Sequence, residues 1–465
     1  MTDLIHRRRF VQLGAGALML AGGAAGADTG RGPSRGQAGG AGPDRQADAA
    51  PSPSGPAPAD GPADGPAGKP DVRIAVGFEG SCPHSPEGVR QEGPGKFRIL
   101  PSWRPSPGIG EEAVGRSTRL GFRVVNKSRS PQTVDLRIDW QYDEAPPKDR
   151  PSFVSIDEFM AYRDFVVVRG PQETGWRTVM VDVAGSVGSL RLRVPPGETE
   201  VHWHPPYTYT QGEQFVASLR DHPLAHVEKI GQSEEGRNVW LIKITDDSPR
   251  AKKPALIRAR VHAYESAGSY AMEGMVGWLL RDDPYAAAAL REYAFHVIPM
   301  SNPDGVFNGL GRLTAPRGAD LTWVASVPDR VHDVMKQTAD RLQPVLFVDL
   351  HNWQNKHVDG LLGLELAVRE RFVRFMPDQL PFGKQWSVRD PGPVPSEPPA
   401  KESLGAYCRR SFGATSVAFE FPWFGRTTDD VRTTGRTALW ALLRALDEPP
   451  AGVSWRPAMW SEPKE

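Results

Sequence analysis

One stretch, residues 254–282, constrains the fold more than any other part of the chain. It begins as a mostly apolar run of strand length, residues 255–261. From residue 267 onward the apolar side chains recur at intervals of three and four, which predicts a helix packed on a core. A strand that turns directly into a helix is typical of an α/β sheet, so we expect a sheet covered by helices.

His262 and Glu265 lie at the turn between this strand and this helix. Open α/β sheets bind their ligands at the carboxyl ends of the strands. An imidazole and a carboxylate three residues apart can bind one metal ion together. A third ligand must then come from elsewhere in the chain, and the fourth position stays open for water.

Length, charge and cysteine content exclude some classes of function. The 465 residues are enough for two or three domains. Lys plus Arg and Asp plus Glu number 56 each, so the formal net charge is zero and we expect no nucleic-acid partner. Cys82 and Cys408 cannot build a disulfide framework. We interpret them as two buried thiols, with a single bridge as the alternative.

Residues 1–27 have the pattern of an export signal. Arginines at positions 7–9, followed by Phe10 and a weakly apolar stretch, resemble a twin-arginine signal, and Ala27 ends a small-residue cleavage pattern. An uncleaved anchor is the alternative, but the stretch is short and Gly-rich against the roughly 20 apolar residues of a membrane span. We expect an exported protein, periplasmic or extracellular, without stable membrane insertion after signal removal.

The rest of the chain divides into four segments. Residues 28–70 are rich in Pro, Gly and Ala, which predicts a disordered linker. Residues 71–205 contain many short strand patterns without a long helix, which predicts a β-sandwich domain. Residues 206–450 alternate strands and helices, which predicts an α/β domain with a mixed, mostly parallel sheet flanked by helices. Residues 451–465 form a polar tail.

Polar groups follow four predicted strands of the second domain, at His262 with Glu265, Asn302 with Asp304, Asp349 with His351, and Glu420. One histidine at a strand end is more often structural than a ligand, but four such ends are hard to attribute to chance. Two histidines and one glutamate are a common set for catalytic zinc. Glu420 is the candidate for moving the proton of an attacking water, and Arg312 is the candidate cation for an anionic intermediate.

Together these segments resemble the zinc metallocarboxypeptidase family, in particular its cytosolic carboxypeptidase (deglutamylase-like) branch. HAYESAGSYAMEG resembles that branch's His-Pro-Gly-Glu segment with the following helix, and NPDGVFNGLGR resembles its Asn-Pro-Asp-Gly segment with the following arginine. VDLHNW resembles the strand of the third ligand, and VAFEF the strand of the catalytic glutamate. HPPYTYT resembles the junction of an N-terminal β-sandwich with the catalytic domain. The resemblance covers roughly residues 71–448.

The resemblance implies a hydrolase with one zinc ion, a metallocarboxypeptidase-like fold and a peptide or peptide-like substrate cut at its C-terminal residue. The roles it implies are zinc ligation by His262, Glu265 and His351, proton transfer by Glu420, oxyanion stabilisation by Arg312, and orientation of the first histidine by Asp320. A loop-capping aspartate is the alternative for the last of these. His202 and His204, at the domain junction, are interpreted as structural rather than as a second metal site.

The sequence departs from the family where an Asn-Arg pair usually binds the terminal carboxylate of the substrate. Thr322 and Trp323 stand there, and an indole cannot grip a carboxylate as a guanidinium does. Asn352, where the family often has Gly, changes the pocket wall beside the metal. Cations that could replace the clamp are Arg317, Arg330, Lys356 and Arg426. Amidase, esterase or endopeptidase activity therefore stays open, and so does a catalytically silent binding protein.

Overall fold

The structure is a computed structural model that describes residues 71–101, 119–139, 164–185, 187–324, 328–352, 358–376, 386–391, 394, 397–399, 402–423 and 425–447. The expected signal (1–27), linker (28–70) and polar tail (451–465) lie outside the described residues. Within the described ranges, none of the helices combines the length and the apolar character that crossing a membrane requires.

The strands of the described residues alternate with helices only in the second half of the chain. The strands are β1 (Val72–Ala75), β2 (Val89–Gly93), β3 (Lys96–Ile99), β4 (Gly121–Asn126), β5 (Gln132–Asp139), β6 (Phe165–Arg169), β7 (Arg177–Met180), β8 (Asp182–Ala184), β9 (Val187–Val194), β10 (Gly197–His202), β11 (Ala225–Gln232), β12 (Asn238–Ile244), β13 (Lys253–Ala259), β14 (Tyr293–Ile298), β15 (Leu346–His351), β16 (Asp359–Leu362), β17 (Trp386–Arg389) and β18 (Thr415–Glu420). The α-helices are α1 (Tyr209–Ser218), α2 (Ser266–Leu279), α3 (Pro284–Glu292), α4 (Pro303–Phe307), α5 (Arg330–Leu342), α6 (Leu366–Phe375), α7 (Leu404–Phe412) and α8 (Thr428–Leu446).

The first ten strands form two five-stranded sheets that share one hydrophobic core. Their strand orders are β1-β4-β10-β6-β7 and β2-β3-β5-β9-β8. Phe122 and Val124 of one sheet meet Leu136 and Ile138 of the other in that core. Along β9 every second residue is buried, as expected for a sheet with one face on a core, and every pair of neighbouring strands in the two sheets is antiparallel except β3–β5. The predicted β-sandwich is confirmed.

Strand β6 is buried on both of its faces. Val166 and Val168 join the sandwich core, whereas Phe165 and Val167 join the largest core of the α/β part. This explains why the strand reads as a continuous apolar run instead of an alternating one. One sheet of the sandwich therefore packs directly against the α/β part of the molecule.

The α/β part is built on one eight-stranded sheet with the order β11-β12-β14-β13-β15-β18-β16-β17. The pairs β13–β14, β13–β15, β15–β18 and β16–β17 are parallel, and the other three neighbouring pairs are antiparallel. The mixed, mostly parallel sheet is therefore confirmed. Its three central parallel strands, β13, β15 and β18, carry His262 with Glu265, His351 and Glu420 at or beyond their carboxyl ends.

Residues of β13 alternate between two hydrophobic cores, one on each face of the sheet. Ala255 and Ile257 pack in the core that contains residues of α2 and α8. Leu256 packs in the core that contains residues of α5 and α7. Helices thus cover both faces, as the burial of a parallel sheet requires.

The strand before His262 ends earlier than its apolar run predicts. We expected a strand to Val261, but β13 ends at Ala259. Arg260 has a φ of 61°, a left-handed conformation that is costly for a residue with a side chain. Its Nη2 donates to the carbonyl oxygen of Ala263 at 2.6 Å, which holds the turn in place.

A second strand boundary also differs. The apolar residues in the segment 179–183 predict a single strand, but the segment is divided at Val181 between β7 and β8. β7 pairs with β6 in one sheet, and β8 pairs with β9 in the other. The chain crosses from one sheet of the sandwich to the other at this residue, which no local pattern indicates.

Both cysteines are buried and neither is in a disulfide, which confirms the expectation. The Sγ of Cys82 donates to the carbonyl oxygen of Pro101 at 2.8 Å. Burial raises the pKa of Cys408 to about 12, so this thiol stays protonated. Cys408 therefore lacks the low pKa of a reactive thiol.

Helices α2 and α8 pack so closely that glycines form their contact. A Cβ at Gly274 would lie 1.9 Å from the carbonyl oxygen of Arg432, and a Cβ at Gly435 would lie 2.3 Å from that of Ala271. Backbone atoms cannot move away as a flexible side chain can. Gly277, on the exposed side of the same helix α2, has no atom within 4 Å of such a Cβ.

We expect Gly274→Ala to lower the free energy of unfolding by about 1–3 kcal/mol, because the clash forces the two helices apart. Gly277→Ala is the matched control, and the higher helix propensity of Ala should raise its stability by up to about 1 kcal/mol. Urea unfolding followed by circular dichroism measures both. Equal stability of the two variants would contradict the close packing.

Candidate metal centre

Three of the predicted site residues converge on one point. His262, Glu265 and His351 are all buried, and one ligand atom from each lies within 4.8 Å of the others. The Nδ1 of His262 is 2.8 Å from Oε1 of Glu265, and the Nδ1 of His351 is 2.9 Å from its Oε2. A single carboxylate thus lies between two imidazoles, and His351 is 86 positions away from Glu265 in the chain.

The order of elements explains this convergence. His262 and Glu265 lie in the turn between β13 and α2, and His351 is the last residue of β15, the parallel neighbour of β13. A Cβ at Gly268 would lie 2.7 Å from the carbonyl oxygen of Leu350, so the first turn of α2 rests on the end of β15. The glycine therefore allows the helix start to bring Glu265 beside His351.

The outer nitrogens of both imidazoles contact oxygen atoms. The Nε2 of His262 lies 2.8 Å from Oγ1 of Thr322 and 3.4 Å from Oδ1 of Asp320. The Nε2 of His351 lies 3.3 Å from Oδ2 of Asp349. Oxygen partners at Nε2 leave the two Nδ1 atoms for a metal; in zinc proteins, carboxylates that accept from the other ring nitrogen orient the ligating histidine in this way. Two imidazoles, one carboxylate and these partners fit a catalytic zinc ion.

Asp349 is itself held by a buried arginine that the sequence reasoning missed. Arg258 on β13 is paired in register with Asp349 on β15. Its Nε and Nη2 donate to the two carboxylate oxygens at 3.0 and 2.7 Å. Arg258 is fully buried, so this two-pronged ion pair fixes the carboxylate that contacts His351. The sequence could have indicated this ion pair, because Arg258 is a charged residue inside an otherwise mostly apolar strand.

The charges of the three central residues depend on one another. Burial alone would raise the pKa of Glu265, but the adjacent His262 and His351 outweigh it and lower this pKa. Burial alone would lower the pKa of His351, but Asp349 and Glu265 outweigh it and raise this pKa well above its usual value. The carboxylate is therefore ionised, and a metal that binds the Nδ1 of His351 must displace a proton.

Glu420 lies beside this cluster at the end of β18. It is paired in register with His351 across the parallel strands β15 and β18, so both side chains project to the same face of the sheet. Burial raises its pKa to about 8; His351 opposes this shift and Glu265 adds to it. A carboxyl group with a pKa near neutrality is suited to both accepting and donating a proton.

Arg312 and Asp320 form one ion pair next to His262. The Nε of Arg312 donates to Oδ2 of Asp320 at 3.0 Å, while Oδ1 of the same carboxylate faces His262. Burial lowers the pKa of Arg312, but Asp320 outweighs it and raises that pKa. The guanidinium is thus charged and oriented, and one aspartate connects it to the first histidine.

Tyr264 joins the site although the sequence reasoning assigned it no role. Its hydroxyl donates to Oε1 of Glu265 at 2.9 Å, and its ring is parallel to that of His262 at a centroid distance of 6.1 Å. Burial raises its pKa well above the usual value, so the phenol remains a donor. The sequence could have indicated this role, because Tyr264 is a bulky residue at a position where the family that the chain resembles has glycine.

The residues at which this sequence departs from the family it resembles contact other groups of the protein. Thr322 contacts His262 as described above, and Trp323 forms a backbone bridge with Ser403. Asn352 is buried directly after His351. Among the cations that could replace the clamp, Arg317 and Arg330 each lie within 4 Å of Glu234. Arg426 forms two hydrogen bonds of 2.7 Å with the carboxylate of Asp359. Lys356 lies outside the described residues.

Asn302 and Asp304, the polar residues that follow strand β14, form structural hydrogen bonds. Asn302 caps α4, and its Nδ2 donates to the carbonyl oxygens of Val261 and Leu313 at 3.3 and 3.2 Å. Asp304 accepts hydrogen bonds from Ser233 and Arg237, each at 2.7 Å. These residues tie the loops around the site together, and the three-residue cluster does not include them.

Comparison with known proteins identifies a zinc carboxypeptidase domain. Residues 213–315 match the zinc carboxypeptidase family, a range that contains His262, Glu265 and Arg312. Cytosolic carboxypeptidase 6 of Caenorhabditis elegans is 34% identical over 166 residues, which are 32% of this chain and 36% of that protein. Its human counterpart is 37% identical over 186 residues, 36% of this chain and 37% of that protein. The matches thus span little more than a third of these relatives.

The fold is that of solved metallocarboxypeptidases. A metallo-carboxypeptidase from Burkholderia cenocepacia superimposes with a TM-score of 0.65 and 18% sequence identity. The superposition covers 80% of this chain and 98% of that one. The predicted family resemblance and the predicted fold are both confirmed.

The expectation of export is contradicted by these comparisons. The curated relatives are named cytosolic carboxypeptidases, a name that disagrees with a periplasmic or extracellular protein. The prediction rested on a short arginine and small-residue pattern in residues 1–27, which lie outside the described residues. We therefore withdraw it.

We expect Asp320→Asn to weaken zinc binding by about 10–100-fold, because the amide cannot supply the charge that faces His262. Asp329→Asn is the matched control, since Asp329 caps helix α5 through Val331 and can be replaced by another capping residue. Competition with a fluorescent zinc chelator measures both affinities. Equal loss in both variants would indicate a general loop defect, and no loss in Asp320→Asn would contradict its orienting role.

Proposed function

We propose, from the zinc carboxypeptidase domain that this chain carries, that the protein is a zinc-dependent hydrolase of peptide or peptide-like substrates. The observation that carries this proposal is the convergence of His262, Glu265 and His351, which would hold the ion. Zinc in such a site polarises a carbonyl group and promotes deprotonation of water at neutral pH. The remaining chemistry depends on side chains of this chain.

Glu420 is the general base and then the general acid of the proposed reaction. Its register with His351 supports this role, and it is not one of the three clustered donors. Its carboxylate takes a proton from the attacking water and delivers it to the leaving nitrogen of the scissile bond. The desolvation that raises its pKa makes the ionised form a stronger base.

Arg312 supplies positive charge for the oxyanion that develops on the scissile carbonyl. Its bond to Asp320 fixes one edge of the guanidinium and keeps the group charged. A donor that is oriented before the reaction costs little reorganisation when the negative charge appears. Because Asp320 also faces His262, a single carboxylate positions both the cation and a proposed zinc ligand.

We expect Glu420→Gln to lower kcat at least about 100-fold while the zinc content stays at that of the parent, because the amide cannot accept the proton. Glu228→Gln, on the exposed strand β11, is the control and should keep full activity. Peptide hydrolysis and metal analysis of the same preparations provide the two readouts. A fully active Glu420→Gln variant would contradict this mechanism.

A second candidate is hydrolysis of bonds that are not next to a free terminal carboxylate, by an amidase, an esterase or an endopeptidase. Thr322 and Trp323 favour it, because neither side chain can form the two-pronged bond of an arginine with a carboxylate. The hydroxyl of Thr322 is also occupied by His262. The chemistry of metal, base and cation would be the same in both candidates.

A panel of matched peptides with free and amidated C-termini separates the two candidates. If the protein acts as a carboxypeptidase, we expect kcat/KM to be at least about tenfold higher for the free acid, because a charge-assisted bond to the carboxylate is lost on amidation. Equal rates for both forms would support the second candidate. Mass spectrometry of the products identifies the bond that is cut.

A further inference from the structure

Arg258 lies in the interior of the α/β part, on the central strand β13. Its side chain is fully buried, and its guanidinium carbon lies 5.4 Å from the centre of the Phe347 ring. Leu256, two residues earlier on the same strand, belongs to the core that contains residues of α5 and α7. A buried arginine needs protein acceptors for its donors, because water is not there to replace them. Its acceptors among the described residues therefore indicate its role.

Two of these acceptors belong to the carboxylate that faces His351. The Nε and Nη2 atoms of Arg258 donate to the two oxygens of Asp349 at 3.0 and 2.7 Å. The oxygen that accepts the shorter bond, Oδ2, also lies 3.3 Å from Nε2 of His351. Because both oxygens are held, the guanidinium fixes the rotation of the carboxylate as well as its position.

The third acceptor lies in the segment that faces the other histidine. The Nη1 of Arg258 donates to the carbonyl oxygen of Leu321 at 3.3 Å. Leu321 stands between Asp320 and Thr322, whose side-chain oxygens lie 3.4 and 2.8 Å from Nε2 of His262. Since a peptide unit is planar, holding this carbonyl also holds the Cα of Thr322. The bond therefore restricts the segment that supplies the oxygen partners of His262.

One guanidinium thus connects the oxygen partners of both imidazoles. Arg258 is 91 positions from Asp349 and 63 positions from Leu321 in the chain. Arginine is suited to such a junction because its N–H donors are held in one rigid plane and point in different directions. The single ammonium group of a lysine cannot reproduce this arrangement of three separate nitrogens.

We propose that Arg258 is a positioning residue for both candidate zinc ligands, His262 and His351, and that it acts through Asp349 and the peptide unit of Leu321. It keeps an oxygen acceptor at Nε2 of each imidazole, so that the ring proton stays there and Nδ1 of each ring faces Glu265. Arg258 is not itself one of the three clustered donors. The inference rests on the proposed function in one respect, that these donors hold zinc.

The zinc affinity of the full-length Arg258→Lys variant tests the effect on the metal site. The lysine keeps a positive charge beside Asp349 but replaces three donor nitrogens with one. We expect zinc to bind about 10–100-fold more weakly than in the parent, as measured by competition with a fluorescent chelator. Arg98→Lys is the matched control, because Arg98 also donates through Nε and Nη2 to an aspartate, Asp139 of the β-sandwich. This control should bind zinc like the parent.

Nuclear magnetic resonance of protein with ¹⁵N-labelled histidine separates positioning from a general loss of stability. A hydrogen bond to a buried acceptor slows the exchange of an imidazole N–H with water, so we expect slow Nε2–H exchange at both His262 and His351 of the parent. Arg258→Lys should speed this exchange at both rings about tenfold or more. Asp349→Asn should speed it at His351 alone. The variants His262→Gln and His351→Gln assign the resonances.

Two results would overturn the proposal. One is parent-like zinc affinity with parent-like Nε2–H exchange in Arg258→Lys. The other is a change of exchange in Arg258→Lys that is confined to His351, because the bond to Leu321 would then have no effect on His262.

A double variant keeps the test decisive if Arg258→Lys does not fold. Arg258→Met combined with Asp349→Asn removes both charges, so that neither is left buried and unpaired. It should bind zinc more weakly than Asp349→Asn alone and should speed exchange at His262, and equal behaviour of the two at His262 would overturn the proposal. A parent that binds no zinc would contradict the proposed function, and exchange in the zinc-free protein would still decide whether Arg258 positions both rings.

Discussion

The contact of one buried carboxylate with two imidazoles is the constraint on which the rest of the site depends. Glu265 can lie between His262 and His351 only if the start of α2 rests on the end of β15, and Gly268 allows that approach. The parallel register of β15 with β18 then brings Glu420 opposite His351. The packing of helices on the sheet thus brings together candidate metal ligands from separate segments of the chain.

The central strands and helices could be predicted because their patterns are local. The runs that became β13, β15 and β18 are apolar and short, and α2 follows at helical spacing. Helix α1 was missed because it buries only Gly212 and Val216, and exposed strand β17 gives no apolar pattern. The early end of β13 depends on the conformation of Arg260, which tertiary contacts maintain.

The site itself was predictable to the extent that its residues follow strands. The acidic and imidazole groups at strand ends were found from order and spacing, whereas Arg258 and Tyr264 act through contacts that appear only in the folded chain.

The most direct test of this account is a crystal structure of the zinc-loaded protein with anomalous data at the zinc edge. The account predicts one strong peak about 2.0–2.2 Å from the Nδ1 atoms of His262 and His351 and from a carboxylate oxygen of Glu265. It also predicts that Glu420 stays outside the coordination sphere. A fully occupied zinc at another position, or no zinc at these three residues in an active preparation, would contradict it.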